Sequence, residues 1–293
     1  MKIAINGFGR IGRIFFRQAF NRESFEIIAI NDLSSVENLA YLLKYDSVYG
    51  RYNHEISFSN NKLIVDGKEV IVLAEKDPTK LPWRDLNIDL VVEATGLFTE
   101  YEKARAHLLA GAKRVVITAP THDETTPHFT PGLEDLGRLM SLGEFSLITS
   151  NASCTTNSVN PVIAIMMRRI GIKKAILTTI HAYTNTQSLV DSVSKGHDFR
   201  RGRAGAFNIV PSTTGAAEAT IKVIREMTGK FDGISIRVPV ITTSLSDITF
   251  VTERPTSVEE VNNIFKEEAS KPEWEGILKV VEDQVVSSDI IGE

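Results

Sequence analysis

Short apolar runs alternate with amphipathic stretches through the first half of the chain. KIAI (2–5) precedes a helical stretch from Ile11 to Phe20, and EIIAIND (26–32) follows it. The rhythm returns in DLVVEATG (89–96), a helix around Glu102 to Ala110, and RVVITAP (114–120). Ile/Val runs that end in Gly, Asp or Pro and are separated by helices predict a mostly parallel, doubly wound sheet. The pattern changes near residue 150. Apolar residues then fall at Val159, Val162, Ile163, Met166, Met167 and Ile170, the stripe of a long helix. Ser153 or Thr155 suits its N-terminus, and Pro161, which deprives the Asn157 carbonyl of its helical donor, predicts a kink. KKAILTTIHAY (173–183), GISIRVPV (233–240) and SLSDITFVTE (244–253) read as longer strands with partial alternation, a mixed or antiparallel sheet with helices on one face. The pattern therefore predicts an α/β domain over residues 1–152 and an α+β domain over 153–293.

Composition supports two domains. The 293 residues, 42% hydrophobic and 24% charged, are ordinary for globular protein and too many for one compact core. A net charge of -4 gives no basic field for nucleic acid, and FRRGRAG (199–205) is the one basic cluster. A single cysteine makes no internal disulfide. The apolar span at the N-terminus breaks at Asn6-Gly7, too soon for a signal-peptide core, and no run has the length to span a bilayer. A soluble, cytoplasmic protein is expected.

NGFGRIG places Gly7, Gly9 and Gly12 in G-x-G-x-x-G spacing, directly after a strand and at the opening of a helix, with Arg10 and Ile11 between the last two glycines. Gly7 permits a tight turn, Gly9 lets the backbone approach a pyrophosphate, and Gly12 lets helix and strand pack closely. The helix N-terminus adds amides and a positive dipole. Asp32 ends the second strand about 20 residues later, where a carboxylate can accept both ribose hydroxyls. Its charge would repel a 2′-phosphate, and DLSSVEN contains no arginine to neutralise one. A Rossmann-type domain binding NAD rather than NADP follows.

SNASCTTN (150–157) surrounds the only thiol, Cys154, with hydroxyls and amides instead of the apolar neighbours of an inert cysteine. An aldehyde can release hydride once a nucleophile has added, and a thiolate can be that nucleophile. A helix N-terminus and a nearby imidazole lower a cysteine pKa from ~8.5 to between ~3.5 and ~7.5. Of the six histidines, His107 lies in a charged helix and His54, His122, His128 and His197 in polar loops or turns. His181 alone follows an apolar strand and precedes a polar set, AYTNTQ; position does not separate a structural from a catalytic role for it.

INGFGRIGR, NDL, LLKYDSVYGR, EATG, SNASCTTN, IHAYTNTQ, RAGAFNIVPSTTGAA, RVPV and VSSDIIGE occur in that order from end to end. Together they resemble the phosphorylating glyceraldehyde-3-phosphate dehydrogenase family, with SNASCTTN the most specific block. The resemblance implies NAD-dependent oxidation of glyceraldehyde 3-phosphate to 1,3-bisphosphoglycerate through a cysteine thioester, a step of glycolysis. It implies Cys154 as nucleophile and His181 as its base. Thr184 and Arg237 would bind the substrate phosphate, while Ser153, Thr155, Thr214, Gly215 and Arg201 would serve the inorganic phosphate. Arg200 and Arg203 would be structural or interfacial. Thr95, Gly96 and Phe98 would line the adenosine side, and Thr118 the nicotinamide side. NAD is the implied cofactor, no metal is implied, and a homotetramer is implied. Two other readings are erythrose-4-phosphate dehydrogenase, with hydrolysis of the thioester, and a shortened NAD-binding protein with little activity.

The chain departs from the family pattern in four places. Ser158 stands where the family usually has a second cysteine. The segment 121–145 is longer and less regular, with Gly132 expected to keep its turn, and the loop 188–199 differs. The chain stops at VSSDIIGE, whereas the family continues with a strand, an asparagine that orients the nicotinamide and a last helix. NAD binding is expected to survive that difference better than turnover.

Overall fold

The computed structural model describes residues 1–133, 143, 147–194 and 196–293. They divide into two units, one of Met1–Phe129 with Asp135–Ala152, the other of Thr130–Glu134 with Ser153–Glu293.

In the first unit the strands are β1 (Lys2–Asn6), β2 (Glu26–Asn31), the small pair β3 (Tyr45–Asp46) and β4 (Gly50–Arg51), β5 (Ile56–Ser59), β6 (Lys62–Val65), β7 (Lys68–Leu73), β8 (Leu90–Glu93), β9 (Arg114–Ile117) and β10 (Ile148–Ser150). Eight of them form one sheet in the order β10-β9-β8-β1-β2-β7-β6-β5. From β10 to β7 all pairings are parallel. The chain moves outward from β1 to β2 on one side and later to β8 on the other, so the order reverses beside β1. Open α/β sheets bind ligands in the crevice at the C-terminal ends of the strands around such a reversal. Asn6–Gly7 and Glu93–Thr95 lie at those ends.

Ile3, Ile5, Ile30 and Val92 are buried beneath Phe16 and Ala19 of helix α1 (Arg10–Ala19) and beneath Leu39 and Leu43 of α2 (Val36–Lys44). Val91, Val115, Ile117 and Ile148 form a second cluster with Trp83 and with Ala104 of α3 (Tyr101–Leu109). The antiparallel edge β5–β6–β7 is absent from the sequence-based expectation. Its signals are local turn residues: Asn60, Asp66 and Gly67 adopt positive φ of 50°, 48° and 76° between short β-branched runs.

The second unit pairs β11 (Ile172–Ala182), β12 (Val210–Thr213), β13 (Phe231–Val238) and β14 (Ser244–Thr252) in the order β12-β13-β11-β14. β11 and β13 are parallel and the outer pairs antiparallel, a mixed sheet. Helix α4 (Cys154–Arg169) runs through Pro161 and buries Val159, Ile163 and Met166 against Leu177 and Phe231 of the sheet. Val162 and Met167 pack partly buried beside them. Helices α5 (Ala216–Val223) and α6 (Val258–Ala269) add Ala216, Ala217 and Ile264 to the same core. Gly132 has φ of +80°, and a side chain there would meet the Trp274 ring at 2.8 Å. The rest of the irregular segment, 134–142 and 144–146, lies outside the described residues.

One contact decides how α1 meets β1. A Cβ at Gly12 would stand 2.1 Å from the Gly7 carbonyl oxygen, whereas one at Gly9 would meet nothing within 4 Å. Alanine is the better helix former by ~1 kcal/mol, yet overpacking against backbone costs about 1–3 kcal/mol, so the clash wins. Gly12→Ala should lower the thermal midpoint of the NAD-free protein and Gly9→Ala should leave it near wild type; equal midpoints for all three would refute the close-packing role of Gly12.

Candidate active site

The glycine turn at the end of β1 is held from two sides. Gly7 has φ of +91°, and a side chain there would strike the Thr95 backbone nitrogen at 2.7 Å. The Phe8 amide donates to Asp32 Oδ2 at 2.8 Å, and the Ser34 amide donates to Oδ1 at 2.9 Å. Asp32 thus ties the end of β2 to the turn, a role sequence spacing does not suggest. The first turn of α1 starts from Gly9 with no side-chain cap, which leaves its amides for an anion. Open space at Gly9 and exposed Arg10 and Ile11 complete a surface that fits a pyrophosphate.

The other expected cofactor residues lie on neighbouring strand ends of this unit. Thr95 Oγ1 and its amide donate to Glu93, Gly96 has φ of +72°, and the Thr118 amide and hydroxyl both donate to the Glu93 carbonyl, the latter at 3.0 Å. The Phe98 ring meets the His107 ring edge-on, with centroids 6.2 Å apart. His107 and His128, which the sequence places in a charged helix and a polar loop, are both buried. Each has an internal polar partner invisible in the sequence: Glu93 and Trp83 for His107, the Thr121 amide for His128.

In the second unit Ser153 is the residue that caps α4. Its backbone is extended and its hydroxyl accepts from the Thr156 amide at 3.1 Å, which makes Cys154 the first helical residue. Cys154 Sγ lies 3.2 Å from His181 Nε2. Burial around the sulfur pushes the thiol up; the hydrogen bond and charge of His181, with the Thr155 hydroxyl and amide, outweigh it and hold the thiol below its ordinary range. His181 Nδ1 lies 2.7 Å from the Ala182 carbonyl. The carbonyl can only accept and Arg237 Nη1, at the same distance from that nitrogen, can only donate, so the two contacts hold the ring in place without fixing its tautomer; Nε2 faces the sulfur within hydrogen-bond distance, where a proton can pass between them.

Strand register brings Arg237 to the same place, because His181 of β11 is the partner of Arg237 on β13. Arg237 Nη1 donates to the Ala182 carbonyl at 3.0 Å and lies 2.7 Å from His181 Nδ1, while its buried Nε has no partner among the described residues. Burial and the charge of Arg201 both pull the Arg237 guanidinium down, and the Cys154 thiolate pushes it up. Two guanidiniums that repel one another are relieved by an anion. Arg201 donates to Thr186 Oγ1 at 3.0 Å, and Thr184 Oγ1 lies 3.0 Å from the same hydroxyl. Thr214 Oγ1 accepts from the Ala216 amide and Gly215 precedes α5, so this pair opens a second helix N-terminus. Arg200 and Arg203 pair with Asp198 and Asp191 at 2.7 and 2.8 Å, and Arg201 lies 3.9 Å from Asp198 as well.

Residues 1–101 match the family model for the glyceraldehyde 3-phosphate dehydrogenase NAD binding domain, and residues 153–293 match that for its C-terminal domain. The chain belongs to the glyceraldehyde 3-phosphate dehydrogenase family. It is 46% identical over 292 residues to the glyceraldehyde-3-phosphate dehydrogenase of Clostridium pasteurianum, covering 99% of this chain and 84% of the relative. It is 45% identical over 292 residues to glyceraldehyde-3-phosphate dehydrogenase B of Aspergillus oryzae, covering 99% and 85%. The relative from Zymomonas mobilis, with the same enzyme name, is 43% identical over 291 residues, covering 99% and 85%.

Within this family member the sequence reading missed Thr186, which bridges Thr184 and Arg201, and Gln187, whose amide oxygen and nitrogen are both buried without a partner among the described residues. Both follow Thr184 in the polar stretch TNTQ, and that was the available signal. Ser158, at the position of the family's second thiol, lies 3.5 Å from the Ser246 hydroxyl.

The balance at Cys154 sets a signed expectation. His181 and Thr155 lower the thiol and burial raises it, so wild-type alkylation by iodoacetamide should have its pH midpoint below the ~8.5 of a free cysteine. His181→Asn removes the larger downward pull and leaves the burial, so the midpoint should move to ~8.5 or above. A wild-type midpoint at that value would make Cys154 an ordinary thiol.

Proposed function

We propose that the chain oxidises glyceraldehyde 3-phosphate with NAD and inorganic phosphate to 1,3-bisphosphoglycerate. The observation that carries the reading is the Cys154–His181 contact at the N-terminus of α4. The thiol proton passes to His181 Nε2, and the thiolate adds to the aldehyde carbon, forming a C–S bond. His181 returns that proton to the new oxyanion, and the N-terminal dipole of α4 favours the negative charge while it lasts. His181 then takes the hydroxyl proton as the C–H bond breaks. NAD, when bound, supplies the acceptor of the hydride. A phosphate oxygen attacks the resulting thioester, the C–S bond breaks, and the acyl phosphate leaves Cys154 as thiolate.

NAD is assigned to the Gly7–Gly12 turn with Arg10 and Ile11, to Asp32, and to Thr95, Gly96, Phe98 and Thr118, within a cofactor domain over 1–152. The catalytic domain over 153–293 holds the two phosphates. Arg237 and Thr184 are assigned to the phosphate of the substrate, which supplies the anion that the crowded Arg237 guanidinium lacks. Arg201, Thr214 and Gly215 are assigned to the attacking phosphate; Ser153 and Thr155 support that site from the start of α4. Exposed Leu189, Val193, Phe199, Phe207 and Ile209 support a homo-oligomer, for which a tetramer is assigned, since single chains seldom leave so many large apolar side chains in water. A cytoplasmic setting is assigned from the single thiol. No helix among the described residues is long and apolar enough to cross a membrane. The relatives from Clostridium, Aspergillus and Zymomonas bear the glyceraldehyde name, and nothing in them favours the erythrose 4-phosphate reading.

NADH formation from glyceraldehyde 3-phosphate should rise steeply with phosphate or arsenate, and rates that do not respond to either would sink the phosphorolytic reading. Arg237→Ala removes a charge-assisted contact and should raise KM for the phosphorylated substrate about 10–100-fold. An unchanged KM would remove Arg237 from that site.

A further inference from the structure

The strand ends that meet the glycine turn are joined by a buried polar cluster that the chemistry at Cys154 does not use. Glu93, the last residue of β8, and His107 of α3 have no exposed side-chain surface. Glu93 Oε1 accepts from the Thr95 amide at 2.8 Å and from the Thr95 hydroxyl. Its Oε2 accepts from Asn6 Nδ2 at 2.6 Å and faces His107 Nε2 at 3.0 Å.

The state of His107 follows from its other side. Trp83 Nε1 lies 3.0 Å from His107 Nδ1, and an indole N–H only donates, so Nδ1 is an acceptor and the ring proton sits on Nε2, pointing at Glu93. Asn6 has one orientation for the same kind of reason. Its Oδ1 accepts from Asn31 Nδ2 at 2.7 Å, so its amide nitrogen must face the carboxylate. Asn31 in turn is held by the Glu75 backbone on both sides, at 2.9 Å each.

Two donor chains therefore converge on Glu93: Trp83 to His107, and Asn31 to Asn6. With Thr95 donating twice, four donors meet the four lone-pair sites of one carboxylate. The Thr95 nitrogen fixed in this way is the atom that a side chain on Gly7 would strike, so its position sets the room for the glycine turn. The Leu97 amide also donates to Thr95 Oγ1 at 3.0 Å, which carries the order into the Thr95–Gly96 turn.

We propose that Glu93 is a positioning residue for NAD, and that its carboxylate, oriented by His107 and Asn6, holds the Thr95–Gly96 turn against the glycine loop in the shape the adenosine half of the cofactor requires. This rests on the reading of Gly7–Gly12 and Asp32 as the NAD site. An amide cannot replace the carboxylate. Glutamine would turn an N–H toward either Thr95 or the Asn6–His107 pair, and each choice leaves buried donors facing a donor.

The test uses the full chain freed of NAD, with NAD affinity read by calorimetry and the His107 tautomer by nitrogen-15 shifts of its ring. Glu93→Gln and His107→Leu should each raise the Kd for NAD about tenfold or more, while kcat at saturating NAD stays within about threefold of wild type. His107→Gln, whose amide can accept from Trp83 and donate to Glu93, should recover most of the affinity. The ring should be protonated at Nε2 in the wild type, and Trp83→Phe, which leaves the Glu93 carboxylate opposite Nε2, should keep that tautomer while freeing the ring and raising the Kd for NAD a few-fold. Wild-type affinity in Glu93→Gln, or a wild-type ring protonated at Nδ1, would overturn the proposal. If Glu93→Gln and His107→Leu fail to fold, Trp83→Phe decides it: an unchanged Kd for NAD overturns it as well. A wild-type chain that does not bind NAD at all would instead strike the underlying assignment of the NAD site.

Discussion

The thiol at the start of α4 is held below its ordinary range through an opposition of two effects. Packing around Cys154 disfavours the charged form, and on that ground alone the sulfur would be less reactive than a free cysteine. The His181 ring at 3.2 Å reverses the outcome, and Thr155 adds to it. Everything that places this ring therefore bears on the state of the thiol. Nδ1 is anchored on the Ala182 carbonyl, β11 is pinned between β13 and β14, and α4 is pressed on the sheet by Val159, Ile163 and Met166. The cap at Ser153 decides where the helix begins, and so which residue meets its N-terminal dipole.

The same carbonyl and ring also hold Arg237, so the guanidinium and the thiol share one neighbour in this fold. The guanidinium stands close to an imidazole nitrogen and within the field of Arg201, with its buried Nε unpartnered among the described residues. Such an arrangement is costly for the empty protein and favourable once an anion arrives. The nearby Asp198 and Asp191 pair closely with Arg200 and Arg203, while Arg201 reaches the hydroxyls of Thr186 and Ser212 and stands 3.9 Å from Asp198.

The cofactor unit is governed by close approach instead of charge. Its three glycines have three different reasons: a positive φ against Thr95 at Gly7, open space at Gly9, and a carbonyl at Gly12 that no side chain could clear. Asp32 braces the turn through Phe8 in addition to any contact with a ribose. Behind the turn lies the Glu93 cluster, in which Asn6, Thr95, Trp83 and His107 form donor chains that end on one carboxylate.

Much of this was legible along the chain. Period-2 and period-3.6 patterns mark both sheets and α4, because burial of one face leaves a local trace. Glycine spacing after a strand, and a thiol among hydroxyls, announce their chemistry because backbone geometry and nucleophilicity belong to single residue types. The β5–β7 edge went unread since its strands are short and its turns rest on Asn60 and Asp66 in positive φ. What only the tertiary structure decided is pairing. Whether a histidine faces a thiol or serves as a buried link depends on what lies opposite it: Cys154 for His181, Glu93 and Trp83 for His107. His181 meets Arg237 through strand register across 56 positions of sequence, and no periodicity encodes that distance. The sequence by itself determined which residues could do chemistry, because that follows from their functional groups. The fold decided which of them do, because a pKa, a tautomer or a donor's direction is set by neighbours in space.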